Sequence, residues 1–177
     1  MVKLRHFFYA TFVVASILII TSGFKINASE ISDAPSMDST KYKVTSAHYP
    51  ACLKMYYCIE KYSKEYNIPK QYAYGIAYME TKFTNPFQWG YDHRQISSAG
   101  ALGPMQIMLP TAKSVWNDND ITKEKLLNDI EFNVETSMKY LSILYSQYKD
   151  WKIVFGCYNT GQPIVNSYAN NVYKHKN

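Results

Sequence analysis

The sequence has little cysteine and little net charge. Three cysteines among 177 residues cannot all pair, and Cys52 and Cys58 lie on different faces of what reads as one helix, so we expect no disulfide framework. Neither His48 nor His93 has ligand spacing from a thiol, so we expect no metal site and no cofactor. After residue 28 the chain holds 16 basic and 14 acidic side chains. This surplus is too small to indicate a nucleic-acid partner.

The sequence also lacks sustained alternation of apolar and polar residues, and no repeat is visible. Its length suits a single domain with one core. Apolar residues instead recur every three or four positions, which predicts amphipathic helices. The three clearest stripes are Cys52, Met55, Ile59, Tyr62 and Tyr66; Tyr72, Ile76, Met79 and Phe83; and Val134, Met138, Leu141, Tyr145 and Tyr148. The predicted fold is therefore mainly helical.

Proline and glycine mark the predicted ends of these helices. Asn67 and Pro69 separate the first two, and residues 84–103 carry Pro86 and three glycines, which predicts a long loop after the second helix. Further helices are expected from near Pro104, from Trp151 to near Gly161, and from about Pro163.

The N-terminus has the layout of an export signal. Lys3 and Arg5 precede an uncharged apolar run over residues 7–24. This run is close to the shortest that spans a bilayer, so a cleaved signal peptide and a retained signal anchor both stay open. We expect an exported protein of the periplasm or cell envelope, with membrane contact only through this segment. The predicted division is a signal peptide or anchor over 1–28, a Ser- and Asp-rich linker over 29–46, and the helical domain over 47–177.

Four short motifs carry the chemical signal. In order, they are Met79–Thr81, Gly100–Met108, Thr111–Ala112 and Cys157–Gly161. In this order, over roughly residues 50–173, the chain resembles the soluble lytic transglycosylase family, whose domain is lysozyme-like.

The resemblance implies an enzyme that acts on the glycan strands of peptidoglycan. Such enzymes cleave the β-1,4 bond between N-acetylmuramic acid and N-acetylglucosamine without water and leave a 1,6-anhydro sugar. Glu80 matches the family's single catalytic acid/base. The resemblance leaves the setting open among general wall remodelling, a secretion or conjugation assembly, and a phage assembly.

The residues around Glu80 fit this role on physical grounds. A carboxyl at a helix end beside Met79 and Phe83 is partly desolvated, which raises its pKa and prepares it to donate a proton. The resemblance also implies a hydrogen bond from Tyr158 to the Glu80 carboxyl. It further implies that substrate is bound by Ser97, Gln106, Met108, Tyr158 and Asn159.

The stretch between Glu80 and Gly100 is longer than in the family and raises alternatives. In goose-type lysozymes, relatives with the same core, a downstream aspartate helps to position a hydrolytic water, and Asp92 is the candidate here. An inverting hydrolase needs its two carboxyls about 6.5 to 9.5 Å apart. Trp89 and Tyr91 in this loop are candidates for stacking on sugar rings. A non-catalytic wall-binding module is the third possibility.

Overall fold

The structure is a computed structural model that describes residues 49–175. The predicted export segment and linker lie outside these residues. Seven helices make up the described part, and its only strand-like pairing is two isolated bridges. The helices are α1 Ala51–Glu65, α2 Lys70–Thr81, α3 Leu109–Trp116, α4 Lys123–Asn128, α5 Ile130–Tyr148, α6 Trp151–Thr160 and α7 Ser167–Lys174. The prediction of a mainly helical domain is confirmed.

Over residues 49–175, every helix is too short or too polar to cross a membrane.

Helix α5 is the centre of the fold and packs against α1, α3, α4 and α6. Its predicted stripe is confirmed, since Val134, Met138 and Leu141 are fully buried. The Asp129 side chain accepts a hydrogen bond from the backbone N–H of Phe132 and caps the helix at its start. A long, capped and centrally buried helix gives the surrounding elements a fixed reference.

Tyrosines on α1 and α2 join the neighbouring helices through their hydroxyl groups. Tyr62 on α1 donates to the Glu131 carboxylate on α5 at 2.9 Å. Tyr74 on α2 donates to Glu60 on α1, also at 2.9 Å. Each ring therefore contributes apolar area to the core while its polar end finds a charged acceptor. The three cysteines are buried and free, and burial raises the pKa of Cys58 to about 12.

The helix predicted from Pro104 is wrong. Residues 103–107 form a tight turn, because Gly103 and Gln106 both adopt left-handed backbone angles, with φ of 74° and 51°. Leu102 bridges to Ile107 across this turn. The next helix, α3, begins only at Leu109.

The end of the chain shows one confirmed boundary and one wrong one. Helix α6 runs from Trp151 to Thr160 and stops at Gly161, as predicted. Helix α7 begins at Ser167 rather than near Pro163, because the side chain of Asn166 caps it by accepting from the N–H of Ala169. The short helix α4 was not predicted from the sequence.

Candidate active site

Glu80 is the second-last residue of α2, and its carboxyl is fixed by a residue from the far end of the chain. The helix ends at Thr81 because Lys82 turns into the left-handed region, with φ of 58°. The hydroxyl of Tyr168, near the start of α7, donates to Glu80 Oε1 at 2.5 Å. The side chain of Glu80 is partly buried and that of Tyr168 is buried. Two helices thus meet at one carboxyl.

The surroundings of Glu80 favour its protonated form. Burial raises the pKa of the Glu80 carboxyl, while the Tyr168 hydrogen bond and the positive charge of Lys82 oppose that rise. A carboxyl with a raised pKa that still accepts a fixed hydrogen bond can give up a proton and then be stabilised as a carboxylate. This is the physical requirement for a general acid that later acts as a base.

The predicted hydrogen bond from Tyr158 to Glu80 is wrong. Tyr158 donates instead to the backbone carbonyl of Met105 at 2.7 Å and pairs with the Ser137 hydroxyl at 2.9 Å. Burial, and next the negative charge of Glu80, raises the pKa of Tyr158 well above its usual range. Tyr158 is therefore a neutral neighbour of Glu80, and Tyr168 is its hydrogen-bond donor.

Thr81 connects the first sequence motif to the second. Its hydroxyl donates to the carbonyl of Pro104 at 2.8 Å and lies 2.8 Å from the hydroxyl of Tyr91. Together with the Tyr158 bond to Met105, this contact holds the 103–107 turn from two sides. A hydroxyl residue directly after Glu80 therefore has a structural purpose.

Asn133 on α5 holds the same turn from a third side. Its Oδ1 accepts from the N–H of Met105 at 2.9 Å, and its Nδ2 donates to the carbonyls of Leu102 and Leu126, both at 2.9 Å. A Cβ on Gly103 would lie 2.5 Å from this Nδ2, so only glycine fits there. Asn133 is not among the predicted site residues, since an asparagine within a helix gives no local signal of such long-range contacts.

A groove of about 330 Å³ opens beside the turn. Four of the predicted substrate-binding residues line it: Gln106, Met108, Tyr158 and Asn159. Its other lining residues are Ile107, Thr111, Tyr140, Cys157, Thr160 and Gly161. Glu80 is not among the lining residues, but its negative charge acts on Tyr158, which is.

The polar groove side chains are oriented by local hydrogen bonds. The amide of Gln106 donates to the carbonyls of Gly103 and Gln95 at 2.8 and 3.1 Å. The Oδ1 of Asn159 accepts from Asn166 at 3.1 Å. Neutral amides held in this way can pair with the hydroxyl and acetamido groups of a sugar.

Two predicted residues, Ser97 and Asp92, do not line this groove. The Ser97 hydroxyl accepts from the N–H of Ala101 at 3.0 Å and closes a loop turn. The Asp92 side chain is exposed, and its Oδ1 accepts from the N–H of Arg94 at 2.8 Å. Both side chains shape the backbone of the long loop.

The two predicted stacking residues of the loop differ in exposure. Tyr91 is buried and packs edge-on against Phe83, with ring centroids 5.2 Å apart, so the prediction that it stacks on sugar is wrong. Trp89 is 66% exposed. Phe87, two residues earlier and not among the predicted stacking residues, is 69% exposed. Among residues 49–175, no group of three His, Cys, Asp or Glu could hold a metal ion.

A helical domain in which a partly buried glutamate at a helix end neighbours the wall of an open groove is typical of the lysozyme-like class of proteins. The family described as Transglycosylase SLT domain matches residues 57–177. The chain belongs to this family.

Solved structures agree with this assignment. The 70-kDa soluble lytic transglycosylase SLT70 from Escherichia coli is 26% identical, with a TM-score of 0.50 over 68% of this chain and 19% of that chain. The complex of the 70-kDa soluble lytic transglycosylase with bulgecin A is 25% identical over the same shares, again with a TM-score of 0.50. An inactive mutant of the lytic transglycosylase Slt from Pseudomonas aeruginosa shares the fold at 20% identity and a TM-score of 0.50, over 84% of this chain and 22% of that chain.

The chain thus spans about a fifth of the length of these structures. No curated protein matches it significantly.

Proposed function

We propose that this domain is a peptidoglycan lytic transglycosylase with Glu80 as its single acid/base. It cleaves the β-1,4 bond between N-acetylmuramic acid and N-acetylglucosamine and forms 1,6-anhydro-N-acetylmuramic acid. The observation that carries the proposal is the Glu80 carboxyl itself, which is partly buried, has a raised pKa and accepts a hydrogen bond from Tyr168.

In the first step, protonated Glu80 donates its proton to the glycosidic oxygen as the bond from that oxygen to C1 of the muramic acid breaks. Positive charge develops at C1, and the N-acetyl oxygen of the same sugar stabilises it. Glu80 becomes a carboxylate. The Tyr168 hydroxyl then stabilises the new negative charge with a charge-assisted hydrogen bond.

In the second step, the C6 hydroxyl of the same muramic acid attacks C1. The Glu80 carboxylate takes the hydroxyl proton as the C1–O6 bond forms, so Glu80 returns to its protonated state. No water is consumed. One carboxyl serves both steps because the proton that it gives in the first is replaced in the second.

The placement of Asp92 supports this single-carboxyl mechanism over hydrolysis. Its side chain is exposed, and one carboxylate oxygen is engaged by the N–H of Arg94 two residues away. A residue that aligns an attacking water has to face the reacting bond, whereas the Asp92 carboxylate is turned to the backbone of its own loop.

The groove supports a glycan substrate. Its predicted binding residues are neutral: Gln106 and Asn159 offer amides, Tyr158 a ring edge and Met108 an apolar surface. Such a mixture suits sugar rings, which combine hydroxyl groups with apolar faces. We also propose that the domain acts outside the cytoplasm, where its substrate lies and to which the predicted segment 1–28 would deliver it.

The test is mass spectrometry of the muropeptides released from purified peptidoglycan. Transglycosylation gives products lighter by one water than the hydrolytic products, with no reducing muramic acid. Reducing ends would instead identify a goose-type hydrolase. Complete absence of release by the wild-type chain, with binding retained, would identify a wall-binding module.

A further inference from the structure

We propose that Phe87 and Trp89 form a second glycan-binding site, an aromatic platform that holds the strand outside the groove. This proposal rests on the proposed function for the chemistry of its ligand. It adds a site that none of the four sequence motifs contains.

The platform is defined by two rings that the fold leaves in solvent. Phe87 and Trp89 are 69% and 66% exposed, the most exposed large apolar side chains among residues 49–175. Their centroids lie 6.2 Å apart with an angle of 64° between the ring planes. Each ring supports the edge or face of the other and leaves most of its surface free. Sugar rings stack through their C–H faces on such aromatic surfaces.

Short-range hydrogen bonds within the loop constrain the backbone that carries the rings. Gln88 accepts from the N–H of Thr84 at 2.9 Å and from the Thr84 hydroxyl at 3.0 Å. The Asn85 side chain accepts from the N–H of Phe87 at 2.9 Å. A preorganised ring pair loses less conformational entropy on binding than a flexible one.

The same loop is attached to the catalytic helix. The Gln88 amide donates to the backbone carbonyl of Lys82 at 3.2 Å, and Lys82 is the residue that ends α2 two positions after Glu80. At the other end, Tyr91 is buried against Phe83 and pairs with Thr81. The loop that carries the platform is therefore attached at both ends to the end of the helix that carries Glu80.

The chemistry of the loop favours a neutral, hydroxyl-rich ligand. Residues 83–91 contain no charged side chain, and Thr84, Asn85 and Gln88 supply neutral polar groups around the rings. Binding to an anionic membrane surface relies on several lysines and arginines near the apolar anchor, and only Lys82 and Arg94 flank residues 83–91, with Asp92 beside Arg94. A stable protein interface needs a much larger surface than two rings.

The experiment measures binding without turnover. Glu80→Gln protein is pelleted with purified insoluble peptidoglycan, alone and combined with Phe87→Ala and Trp89→Ala. The two alanine changes should weaken binding about tenfold, given the usual contribution of an aromatic contact. Replacing both rings by tyrosine should restore most of the binding. Tyr57→Ala removes another exposed ring, on α1 and 52% exposed, and should leave binding unchanged.

Turnover adds a second measurement. The double alanine change is then made in the otherwise wild-type chain. It should raise KM for polymeric peptidoglycan by a factor about ten times larger than the factor for a short muropeptide. An equal loss on both substrates, or unchanged pelleting, would overturn the platform.

Vesicles of anionic phospholipid test the alternative that the two rings contact a membrane. If the double change abolished vesicle binding and spared peptidoglycan binding, the rings would be a membrane contact and the proposal would be wrong. Failure of the proposed function gives a different result from failure of the platform. It would appear as reducing-end products, or as no turnover, in the chain that keeps both rings.

Discussion

Glu80 and Asp92 are consecutive acidic residues along the chain. The fold holds their carboxyl groups in different ways. Glu80 is partly buried, and its partner Tyr168 comes from 88 residues further along the chain. Asp92 is exposed, and its partner is the backbone of Arg94, two residues away. A carboxyl held by a distant helix is fixed relative to the whole domain, whereas a carboxyl in its own turn is fixed only relative to the loop.

The same contrast separates the groove from the long loop around it. The 103–107 turn is bonded by Thr81 from α2, Asn133 from α5 and Tyr158 from α6. Within the loop, the side-chain bonds are mostly short-range, such as those of Asn85 and Ser97, and Tyr91 and Gln88 attach it to the end of α2. Hydrogen bonds between distant residues hold the groove in one geometry. Hydrogen bonds within the loop hold its side chains without changing the geometry of the groove.

The largest expected effect comes from exchanging each carboxyl for an amide. Glu80→Gln should reduce turnover of peptidoglycan on the order of 10³-fold, because it removes the proton donor of the first step. Asp92→Asn should change turnover little. The decrease in turbidity of a peptidoglycan suspension measures both rates, and circular dichroism checks that both variants fold. A large loss in Asp92→Asn with reducing-end products would reverse the comparison and support hydrolysis.

The second effect concerns stability. Asn133→Ala should lower the free energy of unfolding by about 3 kcal/mol, because it leaves the buried Met105 N–H without its acceptor and removes the bonds from the amide to the Leu102 and Leu126 carbonyls. Ser97→Ala removes one partly buried contact and should cost about 1 kcal/mol or less. Urea unfolding of both variants provides the comparison. Equal losses would show that long-range bonds do not distinguish the groove from the loop.

Local signals in the sequence predicted much of the fold and part of the site. The spacing of Val134, Met138 and Leu141 predicted α5, and Gly161 predicted the end of α6. The order of motifs predicted the family, which is confirmed; the roles of Glu80 and of the four groove residues stay predictions.

What the sequence could not provide depends on contacts between distant residues. Tyr168 and Asn133 act on partners far along the chain, and neither has a local pattern that separates it from ordinary core residues. The wrong helix at Pro104 has a similar cause, because the turn there is held by Asn133 and by the left-handed angle of Gly103. Asn166 was a usable signal, since an N-cap residue placed there predicts the start of α7.

The third effect separates the two tyrosines near Glu80. Tyr168→Phe removes a hydrogen bond that lowers the pKa of Glu80, so that pKa should rise and the alkaline limb of the kcat/KM profile should move to higher pH. We expect an activity loss of about tenfold, the usual size for a hydrogen bond to a charged group. Tyr158→Phe removes a bond to Met105 and should leave the limb in place. A shift in the second variant alone would assign the positioning role to Tyr158.

The smallest effect is a dependence of stability on pH. The raised pKa of Glu80 means that the folded state holds its proton more tightly than the unfolded chain. Its contribution to stability is complete below the unfolded pKa of about 4.3 and is lost as pH rises through the folded pKa. Glu80→Gln cannot ionise, so its melting temperature should exceed that of the wild type at neutral pH, with the excess disappearing below about pH 4.

Glu131 on α5 gives the matched control of opposite sign. Hydrogen bonds from Lys61 and Tyr62 lower the pKa of its carboxyl. The contribution of Glu131 to the free energy of unfolding is therefore present above the unfolded pKa and is lost as pH falls through the folded pKa. Glu131→Gln should therefore melt below the wild type at neutral pH and approach it in acid. If both variants shifted the melting temperature in the same direction, the change relative to the wild type would reflect side-chain volume or net charge. The desolvation of Glu80 would then not be the cause of the shift in Glu80→Gln.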